Sequence, residues 1–122
     1  MRLIRTIIVD DEWLIRSELA AMLKKHPEIE LIGQAADAAA ARHLIHQSKP
    51  DLIFLDIQMP GETGFQLLDT LETFIPIIFI SAYDHLVPLS KRYQPVGFLL
   101  KPISPQKMES ALRQVFCRYN QV

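Results

Sequence analysis

Short apolar runs alternate along the chain with stretches in which apolar residues recur every three or four positions. Leu3–Val9, Ile29–Ala35, Leu52–Leu55, Ile75–Ile80 and Gly97–Leu100 are rich in Ile, Leu, Val and Phe, and each predicts a strand. Leu52-Ile53-Phe54-Leu55 is unbroken, which suits a strand buried on both faces of a parallel sheet. Ile29–Ala35 alternates only in part and is expected to be a shorter edge strand. Pro76 sits near the start of the fourth run, where a missing N–H matters least. Between the runs, Ile15, Leu19, Met22 and Leu23 have helical spacing, and His26-Pro27 is expected to stop that helix, because the residue before proline avoids the α region. Asp37 is a good N-cap for the alanine-rich stretch Ala38–Gln47, and Lys49-Pro50-Asp51 reads as a turn. Pro60–Gly64 is a loop by its turn residues, and Phe65, Leu68 and Leu71 predict a short third helix. Pro88 and Pro95 bracket Leu89–Gln94, so the fourth helix is expected to be short or displaced and to start near Pro88. Ser104-Pro105 supplies an N-cap with proline at the first helical position, and Met108, Leu112, Val115, Phe116 and Tyr119 form the stripe of a last helix.

Five strands alternating with helices require crossover connections. The fold is therefore expected to be a doubly wound α/β domain with a five-stranded parallel sheet, of flavodoxin-like size. The 122 residues suffice for one domain with a real core, and 49% apolar with 22% charged is an ordinary globular composition. A net charge of −1 gives no electrostatic footprint for nucleic acid, so this segment alone is not expected to bind DNA. A single cysteine, Cys117, cannot form an internal disulfide and fits a reducing cytoplasm. The apolar runs are too short to span a bilayer, and the N-terminus lacks a signal-peptide pattern.

The strand ends carry the chemistry. Asp10 and Asp11 follow the first strand, Asp56 the third, Ser81 the fourth and Lys101 the fifth. In a parallel sheet these ends share one edge, where open α/β sheets bind ligands. Carboxylates packed together repel and need a cation to stay ionised, and a hard divalent ion such as Mg²⁺ takes carboxylate, water and phosphate oxygens. With Lys101 as a second positive charge and Ser81 as a hydrogen-bond donor, Asp56 is the natural nucleophile for an aspartyl-phosphate intermediate.

Asp10-Asp11, Leu55-Asp56-Ile57-Gln58-Met59-Pro60-Gly61, Ser81-Ala82 and Lys101-Pro102 together resemble the receiver domain of two-component response regulators, in order and over essentially the whole chain. The resemblance implies the strand order 2-1-3-4-5 with five flanking helices. It implies that Asp56 accepts a phosphoryl group from a sensor histidine kinase. It implies Mg²⁺ held directly by Asp11 and Asp56, by Asp10 mainly through water, and by the backbone carbonyl of Gln58. Ser81 and Phe98 would be the switch pair, and Lys101-Pro102 would carry a cis peptide bond. The surface made by helix four, strand five and helix five would carry the output, with a homodimer formed on phosphorylation. Such a domain catalyses only its own phosphorylation and dephosphorylation, and is not otherwise an enzyme. Phe79–Asp84 and Phe98–Ile103 resemble receivers attached to DNA-binding domains of the LytTR type. This second resemblance implies a receiver excised from a longer transcription regulator, which would contact DNA only through the missing part; a stand-alone receiver is the other reading. Phe98 stands where tyrosine is commoner, so no hydroxyl can reach an outer partner.

Blander readings compete at several positions. Asp10-Asp11-Glu12 is also a charged helix start, and Ser81 a strand-end hydroxyl bonded to backbone. His43 and His46 lie three apart on a helix and read as solvated surface, since no third ligand is evident. Trp13 follows the acids and is a candidate reporter of metal binding. Among other functions, a phosphohydrolase of the haloacid dehalogenase type also uses a strand-end aspartate, but its usual second acid falls at Gln58 here. A pseudo-receiver that only binds proteins has no need of the acids, Ser81 and Lys101 together.

Overall fold

A computed structural model describes residues 2–119. The strands are β1 (Ile4–Val9), β2 (Ile29–Ala35), β3 (Leu52–Asp56), β4 (Ile77–Ser81) and β5 (Gly97–Leu100). The helices are α1 (Trp13–Leu23), α2 (Ala38–Ser48), α3 (Gly64–Asp69), α4 (Val87–Ser90) and α5 (Pro105–Tyr119). All strand pairs are parallel and the order is β2-β1-β3-β4-β5, as expected.

Side-chain alternation sorts the core into two layers. Ile7, Val9, Ile53, Leu55, Ile77 and Phe79 face α2, α3 and the segment around Leu86. Ile8, Leu52, Phe54, Ile78, Ile80 and Leu99 face α1 and α5. Every residue of β3 is buried, which is why Leu52–Leu55 is an unbroken apolar run ahead of Asp56. None of the described helices is long and apolar enough to cross a membrane.

The differences from expectation have local causes. β2 is an edge strand with the expected bounds, but its seven residues make it the longest of the five, not a shorter one. Its register against β1 jumps from Thr6–Leu31 to Ile7–Gly33, so Ile32 is an extra residue and the alternation breaks there. β4 starts at Ile77; Ile75 lies outside it, and the Pro76 carbonyl accepts from the Ile53 N–H at 3.0 Å. α1 ends at Leu23, before His26-Pro27, and the His26 N–H closes the end onto the Leu23 carbonyl. The fourth helix is short and starts beside Pro88, as expected, but it is a single α turn, Val87–Ser90, set between 3₁₀ turns at Asp84–Leu86 and Lys91–Tyr93. Pro88 falls in its first turn, where no helical N–H is needed, so helical backbone begins earlier than Pro88. Asp37 caps α2 as expected, accepting from the Ala40 N–H at 2.8 Å, and Lys49 ends that helix with φ 49°. Lys101-Pro102 is cis.

Candidate functional site

β1 and β3 are neighbours in a register that pairs Val9 with Leu55. The next residue of each strand is an aspartate, so Asp10 and Asp56 stand side by side at the sheet edge. Asp10 is fully buried and Asp56 is 2% exposed, whereas Asp11 is exposed. Carboxylate oxygens of the three lie within 4.8 Å of one another. One oxygen of Asp10 accepts from the Glu12 N–H at 2.9 Å and shapes the turn into α1. Arg16 donates to the Asp10 backbone carbonyl at 2.7 Å, which ties α1 back onto the strand end. The other oxygen, Oδ2, is buried without a hydrogen-bond partner, and so is Oδ2 of Asp56.

Lys101 follows β5, anchored by its N–H on the Ser81 carbonyl at 2.9 Å. Its Nζ lies 3.3 Å from Asp10 Oδ2 and 3.8 Å from Asp56 Oδ2, within ion-pair range but without hydrogen-bond geometry to either. It does donate to Glu12 Oε1 at 3.5 Å. Burial pushes Asp56 up to about 7, Asp10 and Asp11 add repulsion, and Lys101 opposes them in part. Burial also raises Asp10, against the pull of the Glu12 amide and Lys101. For Lys101, burial works downward, but Asp56, Asp10 and Glu12 together hold the ammonium above its ordinary value. Two buried carboxylate oxygens without a hydrogen-bond partner, beside a third carboxylate, are what a hard divalent cation with oxygen ligands would satisfy.

Ser81 is buried at the end of β4, and its Oγ accepts from the Tyr83 N–H at 3.0 Å. The backbone-bonded reading of this hydroxyl therefore holds, while its own hydrogen remains free to donate. Phe98 is half-buried on β5, its ring 6.4 Å from Phe79. Gln58 is exposed two residues beyond Asp56. His43 and His46 are exposed on α2, and Trp13 is 69% exposed at the start of α1.

Two contributors were not picked out from the sequence. Glu12 shares the Lys101 ammonium, though it read only as part of a charged helix start. Gly64 opens α3 directly beneath Asp56: a Cβ there would lie 2.5 Å from the Asp56 carbonyl oxygen. Its N–H donates to the Ile57 carbonyl at 2.8 Å, and Thr63 and Gln66 form a capping box around it. Only glycine lets the helix start so close to the strand.

The family model for the response regulator receiver domain matches residues 6–113. An uncharacterized response regulatory protein of Vibrio cholerae is 36% identical over 93% of this chain and 48% of its own length. The transcriptional regulatory protein BtsR of Salmonella typhi is 35% identical, over 93% and 48%. The chain thus spans about half the length of these relatives. The response regulatory domain of protein mrkE from Klebsiella pneumoniae superposes with a TM-score of 0.87 at 26% identity, covering 97% of this chain and 99% of that one. With sequence and fold matched across nearly its whole length, the chain belongs to the response regulator receiver domain family.

Proposed function

We propose that this domain is the phosphoryl acceptor of a two-component system, acting in the cytoplasm, and that Asp56 takes the group from a sensor histidine kinase. The observation that carries the reading is the pair of buried, unpartnered oxygens on Asp10 and Asp56 beside the Lys101 ammonium. A carboxylate oxygen of Asp56 attacks phosphorus, and the bond from phosphorus to the donor atom breaks with its electron pair leaving on the donor. Lys101 pairs with charge on the phosphoryl oxygens, and the Ser81 hydroxyl turns to donate to one of them. Mg²⁺ held by Asp10, Asp11 and Asp56, with the Gln58 backbone carbonyl, would supply positive charge that keeps Asp56 ionised and offsets the phosphoryl oxygens.

Phosphorylation shifts a population between two arrangements. Ser81 turns toward the phosphoryl group, Phe98 swings inward, and the surface of α4, β5 and α5 changes. A groove of about 480 Å³ runs along that surface, lined by Val87, Phe98, Leu100 and Ala111 among others, and a homodimer formed there is the proposed readout. The name of BtsR favours transcription as the output, and the resemblance of the β4 and β5 ends to LytTR-type receivers points the same way. DNA contact would then reside in the other half of a longer protein.

The test is intact-mass spectrometry after incubation with acetyl phosphate and Mg²⁺, with Asp56→Asn alongside. A Mg²⁺-dependent phosphoryl adduct that the variant lacks is expected. No adduct, together with no response of Trp13 fluorescence to Mg²⁺, would overturn the reading in favour of a pseudo-receiver that works by binding alone.

A further inference from the structure

We propose that Lys107 is a positioning residue for phosphoryl transfer, acting through Lys101; this rests on the reading of Asp56 as the phosphoacceptor. Ser104 caps α5, its Oγ accepting from the Lys107 N–H at 3.1 Å, so Lys107 is the third residue of the helix. That position favours Glu or Gln, which would reach back to the cap and complement the positive end of the helix dipole. A lysine there works against the dipole.

What Lys107 does instead is specific. Its Nζ donates to the carbonyl of Leu100 at 3.3 Å and to that of Pro102 at 3.2 Å. These two carbonyls flank Lys101 on either side. One ammonium therefore bridges the end of β5 and the turn after it, across the residue whose own ammonium faces Asp10, Glu12 and Asp56. The other backbone tie on Lys101 is its N–H on the Ser81 carbonyl. β5 is a four-residue edge strand paired on one side alone, so this turn has little sheet to hold it. Lys107 closes the turn from the helix side and fixes the origin of the Lys101 side chain. It also lines the groove between β5 and α5, where anything seated would meet the same ammonium.

The test uses the 122-residue chain with Lys107→Met, which keeps the aliphatic stem, and Lys107→Arg, which keeps a donor. The first readout is the initial rate of adduct formation on Asp56 from acetyl phosphate at saturating Mg²⁺. Lys107→Met is expected to slow it about threefold to tenfold, short of the ~10²-fold that a 1 Å misplacement of a catalytic group can cost. Lys107→Arg is expected to restore most of the rate. In a Lys101→Met background, Lys107→Met is expected to add nothing, because its effect passes through the missing side chain. The second readout is backbone NMR relaxation, in which Lys107→Met is expected to raise mobility at Leu100, Lys101 and Ile103. An unchanged rate, an undiminished effect without Lys101, or unchanged relaxation would each overturn the proposal. If the unmodified chain forms no adduct, it is the phosphoacceptor reading that fails, and the relaxation measurement still decides whether Lys107 holds the turn.

Discussion

Replacing Asp56 with asparagine removes a charge that the fold holds at a cost, and the cost can be read as a pH dependence. The Asp56 carboxyl sits at about 7 in the folded chain against an ordinary 3.8, chiefly through burial and then through repulsion by Asp10. At about 1.4 kcal/mol per pH unit, that difference is about 4 kcal/mol. The sign follows from proton binding. Between the two values the folded chain holds a proton on Asp56 that the unfolded chain has released, so stability falls as pH rises. The Asp56 contribution is fully present below about pH 4, and is lost as pH passes through about 7. A loss of that size is a large part of the ~5–15 kcal/mol that keeps a small domain folded. Urea unfolding of the parent chain and Asp56→Asn, in chelator, from pH 4.5 to 8.5, reads the term of Asp56 and the groups coupled to it, because titration of remote groups cancels in the difference. The variant is expected to gain on the parent up to about pH 7 and then to level off, about 3–4 kcal/mol ahead. Mg²⁺ should narrow the gap by stabilising the parent. A difference that stays flat across the range, or one that shrinks with rising pH, would refute the assignment of a raised pKa to Asp56.

Gly64→Ala places a methyl group 2.5 Å from the Asp56 carbonyl oxygen and 3.2 Å from the Ile57 Cα, neither of which can yield without moving the strand end. It is expected to cost about 1–3 kcal/mol in urea unfolding and to slow adduct formation on Asp56. Lys101→Met leaves Asp10 and Asp56 buried without their ammonium. The expected cost is about 3 kcal/mol at pH 8, shrinking toward pH 5 as the carboxyls take up protons, and unfolding at the two pH values measures it.

The sheet was legible because burial on both faces leaves a mark in composition: β3 is apolar without interruption, and its neighbours nearly so. The acids and Lys101 were legible because a strand end is an unlikely place for charge in a core strand unless something uses it. Other features depend on contacts distant in sequence. Nothing around Gly64 distinguishes a loop glycine from one pressed against the carbonyl of Asp56, eight positions earlier. Lys107 reads as one exposed lysine among several until α5 is set against β5 and its side chain meets two carbonyls. The bounds of β2 were legible, and the bulge at Ile32 is the reason its alternation is only partial. Around Pro88, the sequence pattern registered the prolines but not that two 3₁₀ turns would extend the helical path on either side.

The flanks of the site differ in protection. β3 lies between β1 and β4, so its amides should exchange with solvent only when the domain opens as a whole. β5 has a neighbour on one side and four residues, and its amides should exchange through local opening at lower free energy. Asp56 is thus rooted in a strand expected to exchange slowly, while Lys101 follows a strand expected to exchange faster. Loosening of this edge would reach Lys101, through the turn that Lys107 closes, before it reached Asp56.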